Sequence, residues 1–276
     1  MKKEMTGKFC FVNHRLCAAE DAKHFTFLRQ NAVYEVIRLI GGVPLFWEEH
    51  MLRFHRSAEL TGNPIEKKDG EIREEIRVLT EKNGENYINV KLVWARQGGR
   101  ENFLTCFIPS DYPGPEVYAR GIRTILYPGE REYPNIKTLK DSFKTKVKGE
   151  LEKAGAYEAL LTDPQGYISE GSRSNIFFLI KKEICTPPAG TVLLGVTRQH
   201  VLEICKQQGL HLRERSLHIS ELADTDGAFI TGTSVDVMPV SHIDDFSFSS
   251  ASHPLIRQIG EAFGKKIGEY IRKQPA

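Results

Sequence analysis

No run in these 276 residues approaches the roughly 18–20 consecutive apolar residues of a membrane-spanning helix, which argues against a helical span. The basic start, Met1-Lys2-Lys3-Glu4, leads into no apolar core of the signal-peptide kind. Charge of one sign is also lacking. Lys and Arg total 38 against 36 Asp and Glu, a net charge of +2, so no nucleic-acid partner is expected, because such binding rests on neutralised phosphates. The five cysteines, Cys10, Cys17, Cys106, Cys185 and Cys205, form an odd set without a Cys-x-x-Cys pair. That excludes a disulfide framework or a zinc site as the first reading, and reduced thiols in a cytoplasmic protein are the simplest alternative. His50 and His55 lie five apart on one predicted helix, off a common face, and no histidine shows metal-ligand spacing. There is no Gly-x-Gly-x-x-Gly turn, no internal repeat and no low-complexity tract.

What is present is an ordinary globular composition, 40% hydrophobic and 27% charged, in a chain long enough for one large or two modest domains. Residues 9–13 and 32–40 are β-prone, and Gly41-Gly42 followed by Val43-Pro-Leu-Phe46 predicts a hairpin. A helix is predicted from Trp47 to Leu60, stopped by Thr61-Gly-Asn-Pro64. Ile72, Ile76 and Leu79 predict a second, amphipathic helix over 68–82. Strands over 86–95 and 103–108 bracket Gln97-Gly-Gly99 as another hairpin. Pro109-Ser-Asp-Tyr-Pro-Gly-Pro115 is the best linker, since proline stiffens the backbone and cannot join a ladder. It divides a small α/β domain, 1–112, from a larger one, 116–276. Beyond it, strands at 122–127, 157–163, 174–180 and 228–232 mix with helices near 142–154, 197–208 and 254–272. Without a regular βαβ repeat the fold class is α+β.

Four segments could carry chemistry. Lys137 follows a proline-bounded turn, Tyr133-Pro-Asn-Ile; Lys140, three residues on, is its rival, and the lysines at 140, 144, 146, 148 and 153 read as a solvated helix face. Glu170 sits in Ser169-Glu-Gly-Ser-Arg-Ser-Asn175, either a site carboxylate or part of a loop that Asn175 caps locally. Gly195-Val-Thr-Arg198 opens a helix and suits an anion or an ordinary cap. Thr231-Gly-Thr-Ser234 ends a strand in hydroxyls, able to hold an anion or merely to turn.

Taken in order, these segments resemble the fold type IV pyridoxal-phosphate enzymes: D-amino-acid and branched-chain aminotransferases and aminodeoxychorismate lyases. The resemblance extends to Val33-Tyr-Glu-Val-Ile-Arg38, Glu48-Glu-His-Met-Leu-Arg53, Ala154-Gly-Ala-Tyr-Glu-Ala-Leu160 and Cys185-Thr-Pro-Pro188, and covers roughly residues 8–270. It implies a two-domain fold with pyridoxal 5'-phosphate in the interdomain cleft of a homodimer. Lys137 matches the lysine that forms the Schiff base and moves the Cα proton; Glu170 matches the carboxylate paired with the pyridine nitrogen. Arg53 matches the phosphate-gripping arginine, with Val196, Thr197, Thr233 and Ser234 completing the cup. Tyr34 resembles an active-site tyrosine of the D-amino-acid enzymes, whereas Glu35 alternates to the opposite strand face and reads as structural.

For the substrate carboxylate the resemblance breaks down. D-amino-acid enzymes commonly carry Arg-x-His here, but Trp94-Ala-Arg96-Gln-Gly-Gly-Arg100 contains no histidine. Arg29, Lys91, Arg96 and Arg100 are the candidate clamps, and Arg29 could serve a neighbouring subunit. The implied activity is a ping-pong aminotransferase, nearest the D-amino-acid branch and next the branched-chain one. The alternative is a lyase that releases pyruvate and 4-aminobenzoate from aminodeoxychorismate.

Overall fold

The computed structural model describes residues 5–21, 32–97, 99–131, 133–138 and 141–274. Arg29 and Lys140 lie outside them. The chain forms two units: Met1–Asp111 with Ile136–Asp141 and Glu269–Ala276, and Tyr112–Asn135 with Ser142–Gly268. The main break falls in the proline-rich stretch, but 136–141 and 269–276, which group with the second domain on sequence alone, belong to the first. Backbone pairing explains the first return: Tyr34 N–H donates to the Lys137 carbonyl at 2.9 Å, and Val33 bridges Thr138.

The first unit contains β1 (Thr6–Val12), β2 (Arg15–Ala18), β3 (Val33–Ile40), β4 (Val43–Pro44), α1 (Trp47–Leu60), α2 (Asp69–Asn83), β5 (Asn89–Gln97) and β6 (Arg100–Ile108). The strands form an antiparallel sheet ordered β2-β1-β6-β5-β3-β4. On one face Val33, Ile37 and Leu39 of β3 and Leu92 and Trp94 of β5 pack against Met51, Phe54 and Ala58 of α1 and Ile72, Ile76 and Leu79 of α2. Each large side chain so buried contributes about 1.5–3 kcal/mol, which is what holds both helices on the sheet. The other face carries Cys10, Val12, Val93, Leu104 and Cys106, with Tyr34 packed against them.

The start of α1 is unusual. Phe46 precedes it in the left-handed region (φ 50°), and no side chain of its own caps it. Tyr270 does so from far along the chain: its hydroxyl accepts the Trp47 N–H at 2.9 Å and donates to Glu48 at 2.7 Å, while its ring lies edge-on to Phe46.

The second unit contains α3 (Pro115–Arg120), β7 (Ile122–Pro128), α4 (Asp141–Ala154), β8 (Glu158–Thr162), β9 (Tyr167–Gly171), β10 (Asn175–Ile180), β11 (Glu183–Thr186), α5 (Val196–Gln207), β12 (Leu212–Glu214), β13 (Leu217–His218), β14 (Gly227–Gly232), β15 (Asp236–Ile243), β16 (Phe246–Ser247) and most of α6 (Pro254–Lys273). Its sheet runs β12-β11-β10-β14-β15-β7-β8-β9-β13, with β16 on β15; β7 is parallel to both β8 and β15. The fold is thus α+β with two sheets. Strand β15 contains Pro239, which on sequence argues against a strand. It is tolerated because pairing with β7 starts only at Val240, so Pro239 sits at the edge of that ladder. Among the described residues no helix is long and apolar enough to cross a membrane.

Candidate active site

In the first unit the site is built where residues 136–138 close onto the start of β3. Lys137 is half-buried, and its amine stands over the Tyr34 ring, 5.0 Å from the centroid. The amine of Lys91, on β5, stands over the same ring at 5.5 Å. An ammonium group over an aromatic face is attracted by the ring quadrupole, so Tyr34 holds two cations in one neighbourhood. On α1, His50, Arg53 and Ser57 fall at i, i+3 and i+7, one helix face. The Ser57 hydroxyl faces the Lys137 N–H at 3.5 Å. Arg53 donates from Nε (2.9 Å) and Nη2 (2.6 Å) to the two carboxylate oxygens of Glu35, and His50 Nδ1 meets the same carboxylate at 3.1 Å.

Glu35 does face away from Tyr34, as strand alternation requires. Its side chain is ion-paired to Arg53, the candidate phosphate residue. Burial pushes its carboxyl up, but the Arg53 guanidinium and the His50 contact outweigh that and hold it well below the usual range. Burial lowers His50, the Glu35 carboxylate opposes this, and the positive charges of Arg53 and Lys137 add to the lowering.

In the second unit Glu170 is the penultimate residue of β9, in a strand rather than in the loop that was one of its two sequence readings, and is 2% exposed. The Leu193 N–H donates to its Oε2 at 3.2 Å, and Arg131 forms an ion pair with Oε1 at 2.8 Å while donating from Nη2 to the Ser172 carbonyl. Asn175 is not a local cap. Its amide donates to the Leu193 carbonyl, and it pairs with Thr231 across the β10–β14 ladder. Leu193 and Asn175 therefore join Glu170, the turn before α5 and the end of β14 in one network. Gly195 is required there, because a Cβ would meet the Asn175 Oδ1 at 2.1 Å.

Helix α5 starts without a side-chain cap and without an acidic residue in its first turn, although Val196 and Thr197 are buried. Such an end is suited to an anion, whose charge meets the N–H groups and the positive end of the helix dipole. The buried Thr231 hydroxyl lacks a hydrogen-bond partner, and Thr233 and Ser234 follow it in the turn to β15. Arg198, equally buried, points elsewhere, to the Pro187 carbonyl and to Glu214, both at 2.9 Å. Arg96 is likewise committed, to Glu66 (2.7 Å) and Glu101 (2.6 Å), and alternates to the other face of β5 from Lys91.

Sequence reasoning missed Arg131, Glu35 and Ser57. Only the second had a legible signal, a carboxylate in the alternating apolar row Val33, Glu35, Ile37, Leu39.

In the first unit an amine on an aromatic face and an arginine suit an aldehyde and a phosphate; in the second, taken by itself, a buried carboxylate suits a basic ring nitrogen and an uncapped helix start with an orphaned hydroxyl suits a phosphate. The two-sheet α+β architecture is that of the fold type IV pyridoxal-phosphate enzymes. The sequence pattern of the family "Amino-transferase class IV" matches residues 32–243. The chain belongs to this family of pyridoxal-phosphate-dependent aminotransferases. It is 30% identical over 250 residues to a D-alanine aminotransferase of Bacillus licheniformis, covering 86% of this chain and 88% of the relative. It is also 30% identical over 254 residues, 86% of each chain, to a probable branched-chain-amino-acid aminotransferase of Rickettsia bellii. The fold is similar to that of a Thermoproteus uzoniensis branched-chain aminotransferase with norvaline (TM-score 0.83, 22% identity, covering 98% and 97% of the two chains). It is similar too to the Thermobaculum terrenum branched-chain amino acid aminotransferase in its pyridoxal-phosphate holo-form (TM-score 0.80, 22% identity, 98% and 96%).

Proposed function

We propose that this class IV aminotransferase moves the amino group of a small aliphatic amino acid, a D-amino acid first and a branched-chain L-amino acid second, to a 2-oxo acid. The observation that carries the reading is the pair of amines, Lys137 and Lys91, over the single Tyr34 ring. One amine is needed for the chemistry, and a second cation beside it suits a substrate carboxylate. Of the candidate clamps Lys91 is favoured, because its amine stands over the same Tyr34 ring as the Lys137 amine, whereas Arg96 lies on the other face of β5.

When bound, pyridoxal 5'-phosphate supplies an aldehyde that condenses with amines and a ring that accepts the electron pair released at the substrate Cα. Arg53, the α5 backbone at Val196 and Thr197, and the hydroxyls of Thr233 and Ser234 would hold the phosphate. Glu170 would hold the proton at the ring nitrogen, with Arg131 and the Leu193 N–H fixing the carboxylate. Lys137 Nζ would take the proton from the substrate Cα and deliver it to the carbon that was the cofactor's aldehyde, which requires a neutral amine for part of the cycle. Tyr34 keeps that amine on the ring face between its two roles. The proposal includes a cytoplasmic homodimer, checked by light scattering of the purified protein.

The transaminase reading is preferred to the lyase because both relatives named above are aminotransferases. The test is the near-visible absorbance of the cofactor-loaded enzyme with D-alanine, D-glutamate, L-leucine and L-glutamate added separately. Loss of the band with one of them, restored by a 2-oxo acid, identifies the branch. No loss with any, together with pyruvate release from aminodeoxychorismate without an acceptor, sinks the transaminase reading.

A further inference from the structure

A helix laid on a sheet buries an apolar stripe. On α1 that stripe, Trp47, Met51, Phe54 and Ala58, is flanked by a polar one, His50, Arg53 and Ser57, which is almost as deeply buried. Facing it, Glu35 is fully buried in a row of apolar residues on β3. Buried ion pairs are a poor source of stability, since well-packed apolar side chains usually serve as well. What a two-point contact provides is geometry. Nε and Nη2 of Arg53 each take one oxygen of Glu35, which fixes the plane and rotation of the guanidinium, and His50 Nδ1 holds the carboxylate from a third direction.

We infer that Glu35, steadied by His50, is a positioning residue of the cofactor site: it sets the Arg53 guanidinium in the orientation that grips the phosphate. The inference rests on the reading of Arg53 as a phosphate residue. The direction of the His50 shift agrees with it, because a histidine kept neutral by burial holds Glu35 without adding a second charge that would compete for it.

The experiment compares the affinity of the apoenzyme for pyridoxal 5'-phosphate and for pyridoxal, by protein-fluorescence quenching. The ratio of the two constants isolates the phosphate contact from the contacts of the ring and aldehyde. In Arg53→Met the ratio collapses. In Glu35→Gln it falls by about tenfold or more, the scale of a charge-assisted contact, with pyridoxal affinity unchanged. Glu35→Asp keeps the charge but withdraws it by one methylene, and its ratio falls less, by about threefold. A merely structural Glu35 would weaken both ligands together and leave the ratio intact. Should Glu35→Gln fail to fold, Glu35→Asp carries the test alone. A lowered ratio in Arg53→Met with wild-type ratios in the Glu35 variants overturns the inference and leaves the Arg53 reading standing. An unchanged ratio in Arg53→Met removes both.

Discussion

Buried carboxylates are neutralised here by two means: ion pairs at Glu35 and Glu75 in the first unit and at Glu170, with Arg131, in the second, and neutral donors at Glu158 of the second. In the first, Glu35 is matched by Arg53 and His50, and Glu75 by the buried Lys67 amine, with Thr105 donating to it at 2.7 Å. In the second, Glu158 is fully buried yet held mainly by neutral donors: the N–H groups of Ala159 and Ser172 and the hydroxyls of Ser172 and Ser174, with the exposed Arg173 adding charge at 3.8 Å. The unit that presents cations, Lys137, Lys91 and Arg53, fixes one of them with a counter-charge. The unit that presents Glu170 and a helix start pairs Glu170 with Arg131 and also braces the adjoining turn with dipoles. Ion pairing orients a side chain, whereas dipole pairing locks a backbone, and the second unit uses both devices, the first at Glu170 and the second at Glu158.

The sharpest division of labour is tested at Lys137. Lys137→Ala is expected to abolish turnover and the near-visible cofactor band, while Lys140→Ala keeps both; the reverse would move the reactive amine off the Tyr34 ring. Next, Lys91→Ala should raise KM for the amino acid about 10–100-fold, the loss of one charge-assisted contact, with a smaller change in kcat. Arg96→Ala should leave both constants unchanged, and steady-state kinetics would expose an Arg96 effect if that pairing has been misjudged.

In the second unit, Glu158→Ala orphans the donors of the Ser172–Ser174 turn and should cost about 3–5 kcal/mol in urea unfolding. A loss under about 1 kcal/mol would show that dipole pairing is not what holds that turn. The smallest effect concerns acid. Both Glu35 and His50 have folded values below their ordinary 4.5 and 6.5, so in each case the unfolded chain binds the extra proton as pH falls. Stability contributed by the two is full above 6.5, declines first through His50 and then, below 4.5, through Glu35. His50→Gln should flatten the first limb in thermal melts against pH, and an unaltered limb would assign it elsewhere.

Much of this fold was legible because its helices carry local signals. Trp47–Leu60 is bounded as the Thr61-Gly-Asn-Pro stop requires, and Asp69–Asn83 lies within one residue of the range predicted from Ile72, Ile76 and Leu79. Strands whose reason is tertiary were not legible: β9 looks like a polar loop until β8 and β13 flank it, and β15 carries a proline. At the site, Lys137 and Glu170 stand in ordered motifs that sequence can match. The Glu35–Arg53 pair unites residues of a strand and a helix, and nothing in either segment alone says that they meet. Arg131 is hidden for the same reason, since its partner lies on β9 and its second contact on the turn beyond.

The Tyr270 cap has a consequence for the timing of synthesis. The helix that carries His50, Arg53 and Ser57 is made early, but the hydroxyl that terminates its first turn belongs to a residue translated more than two hundred positions later. A ribosome-bound chain can pair β1 through β6 and dock residues 136–138, yet it emerges with Trp47 N–H and Glu48 still facing water. The earliest unit to be synthesised is thus the last to be finished, and the first turn of its helix is capped only after Tyr270 has left the ribosome.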